Sequence, residues 1–265
     1  MDGINVVSTG DAAVLILEDV SDELKELLRK RLAAFCYGAA EVALDADYYS
    51  FEATITEFML RYDKKEHTTK IGMIGELVVH VLVEGAHPTL SSSAVYFNKE
   101  ERSIKKGFDL TFHESSKQSL WYGEVKSGEV VDGQSADEKS ESLLKIAAAD
   151  IAGKLNGDVR RSRWDTAIID AGLTLGASEA TTVKALLRSD SKQIVKGNKI
   201  TTNVLLAAVV LHELDHCVVT EDPTVAAVKT IMTSGRFDST RALVIQQAAL
   251  ETVVDFLRTV LAARA

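Results

Sequence analysis

Residues 107–112, Gly107-Phe108-Asp109-Leu110-Thr111-Phe112, and residues 120–126, Leu120-Trp121-Tyr122-Gly123-Glu124-Val125-Lys126, are joined by the polar connector HESSKQS. In the first stretch, Phe108, Leu110 and Phe112 alternate with Asp109 and Thr111, the period-two pattern of a strand with one buried face. In the second, Leu120, Tyr122, Glu124 and Lys126 share one face, and Trp121, Gly123 and Val125 share the other. Glu124 and Lys126 are therefore neighbours, about 6–7 Å apart along the strand. The connector is hairpin-sized, and folding it back brings Asp109 close to Glu124 across the ladder.

Two carboxylates held together repel, and one of them gains a raised pKa unless a cation lies between them. Mg²⁺ suits such a pair, with Mn²⁺ as the alternative. It prefers oxygen ligands and keeps several waters, so one or two carboxylates and a substrate phosphate complete its shell. A metal-bound water is a better nucleophile, and the metal offsets charge building on phosphorus. Lys126 would position or deprotonate that water, or stabilise the phosphorane. The plainer reading is a surface hairpin with a Glu–Lys pair.

Upstream, residues 71–84, IGMIGELVVHVLVE, are apolar at almost every position and predict a helix buried on most sides. Glu76 sits in its middle, and a buried carboxylate needs a partner or a metal. It is the candidate third acid. Gly72 and Gly75 suggest close approach by another backbone, and His80 lies one turn on from Glu76.

Further out, residues 12–18 read as a buried strand and Ser21 as the cap of the following helix. Residues 53–84 read as helical with a break near 63–67. Strands are expected near 93–98, 107–113 and 119–126, then a long polar-faced helix over 136–155. In the second half, residues 164–172 suit a strand, TTVKALLRSDSKQI a helix, and TTNVLLAAVVLHE is ambiguous. The segment 239–265 reads as one long helix, capped by Asp238 or Ser239.

The 265 residues carry 46% hydrophobic and 26% charged side chains, enough for a sizeable core. Only Pro88 and Pro223 punctuate the chain, without a Ser/Gly-rich linker. A single compact α/β domain over 1–265 is expected. The longest apolar run, 204–211, is too short to span a bilayer, which needs about 20 residues. No signal peptide is evident. Cys36 and Cys217 form no disulfide framework, so a cytoplasmic location is expected. The net charge of −9 argues against coating nucleic acid unaided. Lys99, Arg102, Lys105 and Lys106, and then Arg160, Arg161 and Arg163, are candidate nucleic-acid contacts, unless they are merely solvated faces.

Helix with Gly75-Glu76, strand with Gly107-Phe108-Asp109, strand with Glu124-Val125-Lys126, then helix, resembles the PD-(D/E)xK nuclease core, here over about 70–155. IGMIGE, KKGFDLTF and YGEVKSG together look like the HamA effector family of Hachiman antiphage defence. The resemblance implies a restriction-endonuclease-like mixed sheet flanked by helices, with N- and C-terminal elaborations. It also implies a Mg²⁺-dependent DNA endonuclease, nonspecific and controlled by a superfamily 2 helicase partner of HamB type. Asp109, Glu124 and Lys126 would be catalytic, and Glu76, Asp109 and Glu124 would hold the metal. The chain departs from the usual pattern in having no proline before Asp109, and Asp150 where many relatives carry glutamine.

His212-Glu213-Leu214-Asp215-His216 fits the H-E-x-x-H spacing of zinc peptidases, with Glu251 and Asp255 as candidate downstream ligands. The preceding Val/Leu-rich run suits a strand as well as a helix. On an extended strand the two histidines would lie about 13 Å apart, too far to chelate one zinc. A strand end with polar residues at its tip is the preferred reading. A zinc metallopeptidase, and an adaptor that only docks a helicase, are the rival functions.

Overall fold

A computed structural model describes residues 4–97, 107–156, 161–248 and 251–263. The elements run β1 (Ile4–Thr9), β2 (Ala12–Leu17), α1 (Asp22–Tyr37), α2 (Ala39–Val42), α3 (Phe51–Tyr62), α4 (His67–Ala86), β3 (Ser91–Ser92), β4 (Leu110–Glu114) and β5 (Ser119–Glu129). They continue with α5 (Ala136–Asn156), α6 (Ser162–Thr174), α7 (Ala177–Val195), β6 (Asn203–Leu211), α8 (Glu221–Thr233), β7 (Ser239–Gln247) and α9 (Glu251–Ala262). Among the described residues the strands form one mixed sheet in the order β1-β2-β7-β6-β5-β4-β3. β2, β7, β6 and β5 are mutually parallel, while β1 and the β4–β3 edge run antiparallel to their neighbours.

Helices cover both faces. Leu24, Leu28 and Leu32 of α1, Phe58 of α3, the apolar residues of α4 and Leu257 of α9 pack on the side chains of Val125, Ala207, Val209 and Ile245. Leu144, Ala148 and Ile151 of α5 pack with Trp164, Leu187 and Ile231 from α6, α7 and α8 on the other face, against Tyr122, Leu206, Ala208 and Val244. This three-layer arrangement explains the composition of β6: Val204–Leu211 are all buried, because a parallel strand covered on both faces reads as an unbroken apolar run.

Several expectations hold. Ser21 Oγ caps α1 by accepting from the Leu24 amide at 3.2 Å, and the helical stretch breaks between Tyr62 and His67. Others are corrected. Residues 164–172 are helical in α6, where Trp164, Ala167 and Ala171 are buried at helical spacing. The segment expected as one terminal helix divides: Ser239–Gln247 is strand β7, and only α9 is helical. Residues 93–97 are buried but belong to no strand. The Ser93 amide still donates to the Thr111 carbonyl of β4, but further on the chain turns to the end of α1, Tyr96 donating to the Phe35 carbonyl and Phe97 to the Cys36 carbonyl. Strand β1 was not anticipated. The sheet also draws its central strands β6 and β7 from beyond residue 155, so the 70–155 stretch supplies one part of it.

Candidate active site

Strand pairing sets the geometry. Leu110 registers with Gly123, so the next step of the antiparallel ladder sets Asp109 opposite Glu124. The strands cross closely here: a Cβ on Gly123 would lie 2.6 Å from Leu110 Cβ. Asp109 is fixed further by accepting from the Val125 amide through Oδ2 at 3.0 Å. Glu124 is 1% exposed, on the face covered by α5.

α5 supplies two residues that the strand pattern did not reveal. Lys154 Nζ lies 3.0 Å from Asp109 Oδ1 and 2.6 Å from Glu124 Oε2. Lys126 Nζ lies 2.8 Å from Glu124 Oε1 and 2.8 Å from Asp150 Oδ2. The result is an alternating row of charge, Asp109, Lys154, Glu124, Lys126, Asp150, with three acids to two lysines. Asp150 and Lys154 are four apart on one helix and so share a face. Single-sequence patterns give no reason to choose that pair from the other charges on α5.

Burial pushes the Glu124 carboxyl above its ordinary value, the neighbouring Asp109 charge pushes the same way, and Lys154 and Lys126 pull against both. Burial alone would lower the two lysines. Asp150 and Glu124 instead hold Lys126 well above its usual range, and Asp109 with Glu124 raise Lys154. Both are ammonium ions at neutral pH.

Glu76 stands on α4, on the opposite face of the sheet. It is partly exposed, with the buried His80 ring 3.9 Å away, and its charge helps raise the Tyr96 phenol. Gly75 meets the side chain of Ser127, one residue past Lys126, while Gly72 faces open space. The close approach expected of both glycines is therefore made by one, and to a side chain. Among the described residues no three His, Cys, Asp or Glu side chains gather as a metal site; the convergence is of Asp109 and Glu124 on one cation. Their oxygen-only donors suit a hard divalent ion, which takes its remaining ligands from water and phosphate.

Of the candidate basic contacts, Lys99, Arg102, Lys105, Lys106 and Arg160 lie outside the described residues. Arg163 Nη1 donates to the Lys154 carbonyl at 2.9 Å, and Arg161 is exposed at the start of α6, 3.3 Å from Asp165.

The H-E-x-x-H spacing does not fall on a helix. β6 ends at Leu211, the His212 amide donates to the Gln247 carbonyl at 3.1 Å, and the chain turns at 214–216. That turn brings the two imidazole centroids to 5.7 Å, closer than an extended strand allows. Asp255 lies 3.9 Å from Arg258.

The sequence profile of the HamA family matches residues 8–238. The chain belongs to the HamA family. HamA is the effector family of Hachiman antiphage defence, so membership implies a role in that system and a partner within it. The match includes all five members of the charged row. No curated protein matches the chain. Among the described residues, no helix is long and apolar enough to cross a membrane.

Proposed function

We propose that this HamA-family chain is a metal-dependent DNA endonuclease, built on a restriction-endonuclease-like PD-(D/E)xK core and restrained by a helicase partner. One observation carries the reading: Asp109, just ahead of β4, and Glu124 of β5 converge on a single cation, the Lys154 ammonium, beside Lys126. The element order α4, β4, β5, α5 follows the helix–strand–strand–helix order of such a core, with Asp109, Glu124 and Lys126 at the strand pair and Asp150 and Lys154 on the last helix.

Asp109 and Glu124 would hold Mg²⁺ or Mn²⁺; Glu76, on the other face of the sheet beside His80, does not join them. When bound, the ion supplies an activated water and offsets charge on the scissile phosphate. The chain's own part follows from its charges. The Val125 amide and the strand pair fix Asp109 against Glu124. Lys126, held as an ammonium ion, cannot accept a proton at neutral pH. It acts as a cation, orienting the water and stabilising the phosphorane. Lys154 neutralises the two carboxylates and competes with a divalent ion for the same oxygens.

The test is plasmid cleavage with Mg²⁺, with and without the partner helicase and ATP. Glu124→Gln should cost at least about 100-fold, EDTA should stop cleavage, and Glu213→Gln should cleave like wild type. Equal cleavage by Glu124→Gln, or no cleavage in any mixture, would sink the assignment. Restraint by the partner fails if the isolated chain cuts as fast as the complex.

A further inference from the structure

Within this acidic chain, a cleft among the described residues has the opposite character. Between α6 and α7 lies a cavity of about 380 Å³ lined by Arg161, Arg188, Lys192 and Lys196, with Asp165 and Ser191. All four cations are exposed. Asp165 is the one carboxylate in the lining, and it lies against Arg161. Among the described residues, Arg188, Lys192 and Lys196 have no ion-pair partner.

Helical spacing makes the row regular. Residues 188, 192 and 196 are four apart, so their side chains stack along one side of α7 and just past its end, about 6 Å of rise between each. Like charges at this spacing repel one another; the C-terminus of α7 offsets part of this for Lys192 and Lys196, and a polyanion laid along the row would offset the rest. The acids that α7 carries do not relieve it. Asp190 is turned inward and accepts from the Tyr122 hydroxyl at 2.7 Å, and Glu179 is engaged with His113 at 3.0 Å near the helix start.

Both walls of the cleft are fastened to the candidate active site. Tyr122, which holds α7 through Asp190, lies two residues before Glu124 on the same face of β5. Arg163, two residues from Arg161, donates to the carbonyl of Lys154. A Cβ on Gly107 would lie 3.3 Å from Thr166 Cγ2 of α6, so α6 also abuts the lead into β4. A chain of phosphates held in the cleft thus runs on the side of the sheet that carries Asp109 and Glu124.

We infer that the α6–α7 cleft is a binding track for the DNA phosphate backbone, with Arg188, Lys192 and Lys196 as its principal contacts and Arg161 at its mouth. This rests on the nuclease reading for its purpose but not for its chemistry. The contacts are to phosphate, so binding is indifferent to base sequence and weakens with salt.

The test uses the full chain and a fluorescently labelled DNA duplex, followed by anisotropy in EDTA at several salt concentrations. The triple variant Arg188→Glu/Lys192→Glu/Lys196→Glu should bind at least about tenfold more weakly. Its plot of log affinity against log salt should lose roughly three units of slope, one per phosphate contact. A matched reversal on the other face of the sheet, Lys30→Glu/Lys64→Glu/Lys65→Glu, should bind within about twofold of wild type, which removes net charge as the explanation. Circular dichroism on each variant checks that the helices persist. Equal weakening by both triples, unchanged affinity in the first, or no binding by folded wild type overturns the track. The two readings fail separately: binding lost in the α7 triple without cleavage by wild type keeps the track and sinks the nuclease, whereas cleavage by the α7 triple at unchanged KM does the reverse.

Discussion

Glu124 is pulled in two directions, by burial and Asp109 towards protonation and by two lysines towards ionisation. Removing Lys154 takes away a force that lowers its pKa. Lys154→Ala should therefore move the acid limb of the pH–rate profile to higher pH, and an unmoved limb would show that Lys154 is electrostatically idle. Glu114, at the other end of β4, has the opposite balance. It is buried, which pushes its pKa up, but the Trp121 indole at 3.2 Å, Lys117 at 3.3 Å and Arg241 at 3.2 Å outweigh burial and hold it below its ordinary 4.5. Its stabilisation is thus present above that value and lost as pH falls through the lowered one. Glu114→Gln should cost about 1–3 kcal/mol at neutral pH, read from urea denaturation. The gap from wild type should close in acid; a gap constant with pH would remove the charge from the explanation.

At the scale of elements, the β4–β5 crossing depends on the missing side chain at Gly123. A methyl there meets Leu110 Cβ and the Phe112 ring, so Gly123→Ala must push the strands apart. The expected cost is about 1–3 kcal/mol of overpacking, with a larger loss of cleavage because Asp109 and Glu124 separate. Normal cleavage with normal stability would show that the crossing is slack. The two strands were legible because hydrophobic alternation marks much of them, and Asp109, Glu124 and Lys126 were legible with them. β6 and β7 were not. Strands covered on both faces do not alternate, and the run from Ser239 through α9 gives no period that separates strand from helix. Lys154 was hidden for another reason: its importance arises only when α5 lies across the sheet. Glu76 was conspicuous as an acid in an apolar helix, yet a helix pattern does not say which face of the sheet it will meet.

For the whole molecule, neighbours in the sheet come from distant parts of the chain. β5 lies against β6, and β2 against β7. An excised 70–155 segment would expose β5 along its entire β6 edge and strip α5 of Leu206, Ala208 and Val210. Such a fragment should show no cooperative urea transition and no protected amides in β5; a two-state transition would establish it as a self-sufficient core. The same order bears on how the protein is made. The N-terminal hairpin cannot take its place until Ser239–Gln247 has left the ribosome, nor can Glu124 be sealed by its neighbour before Asn203–Leu211 emerges. Nascent chains that stop early thus lack the neighbouring strand that encloses Glu124, so the charged row is completed only late in synthesis.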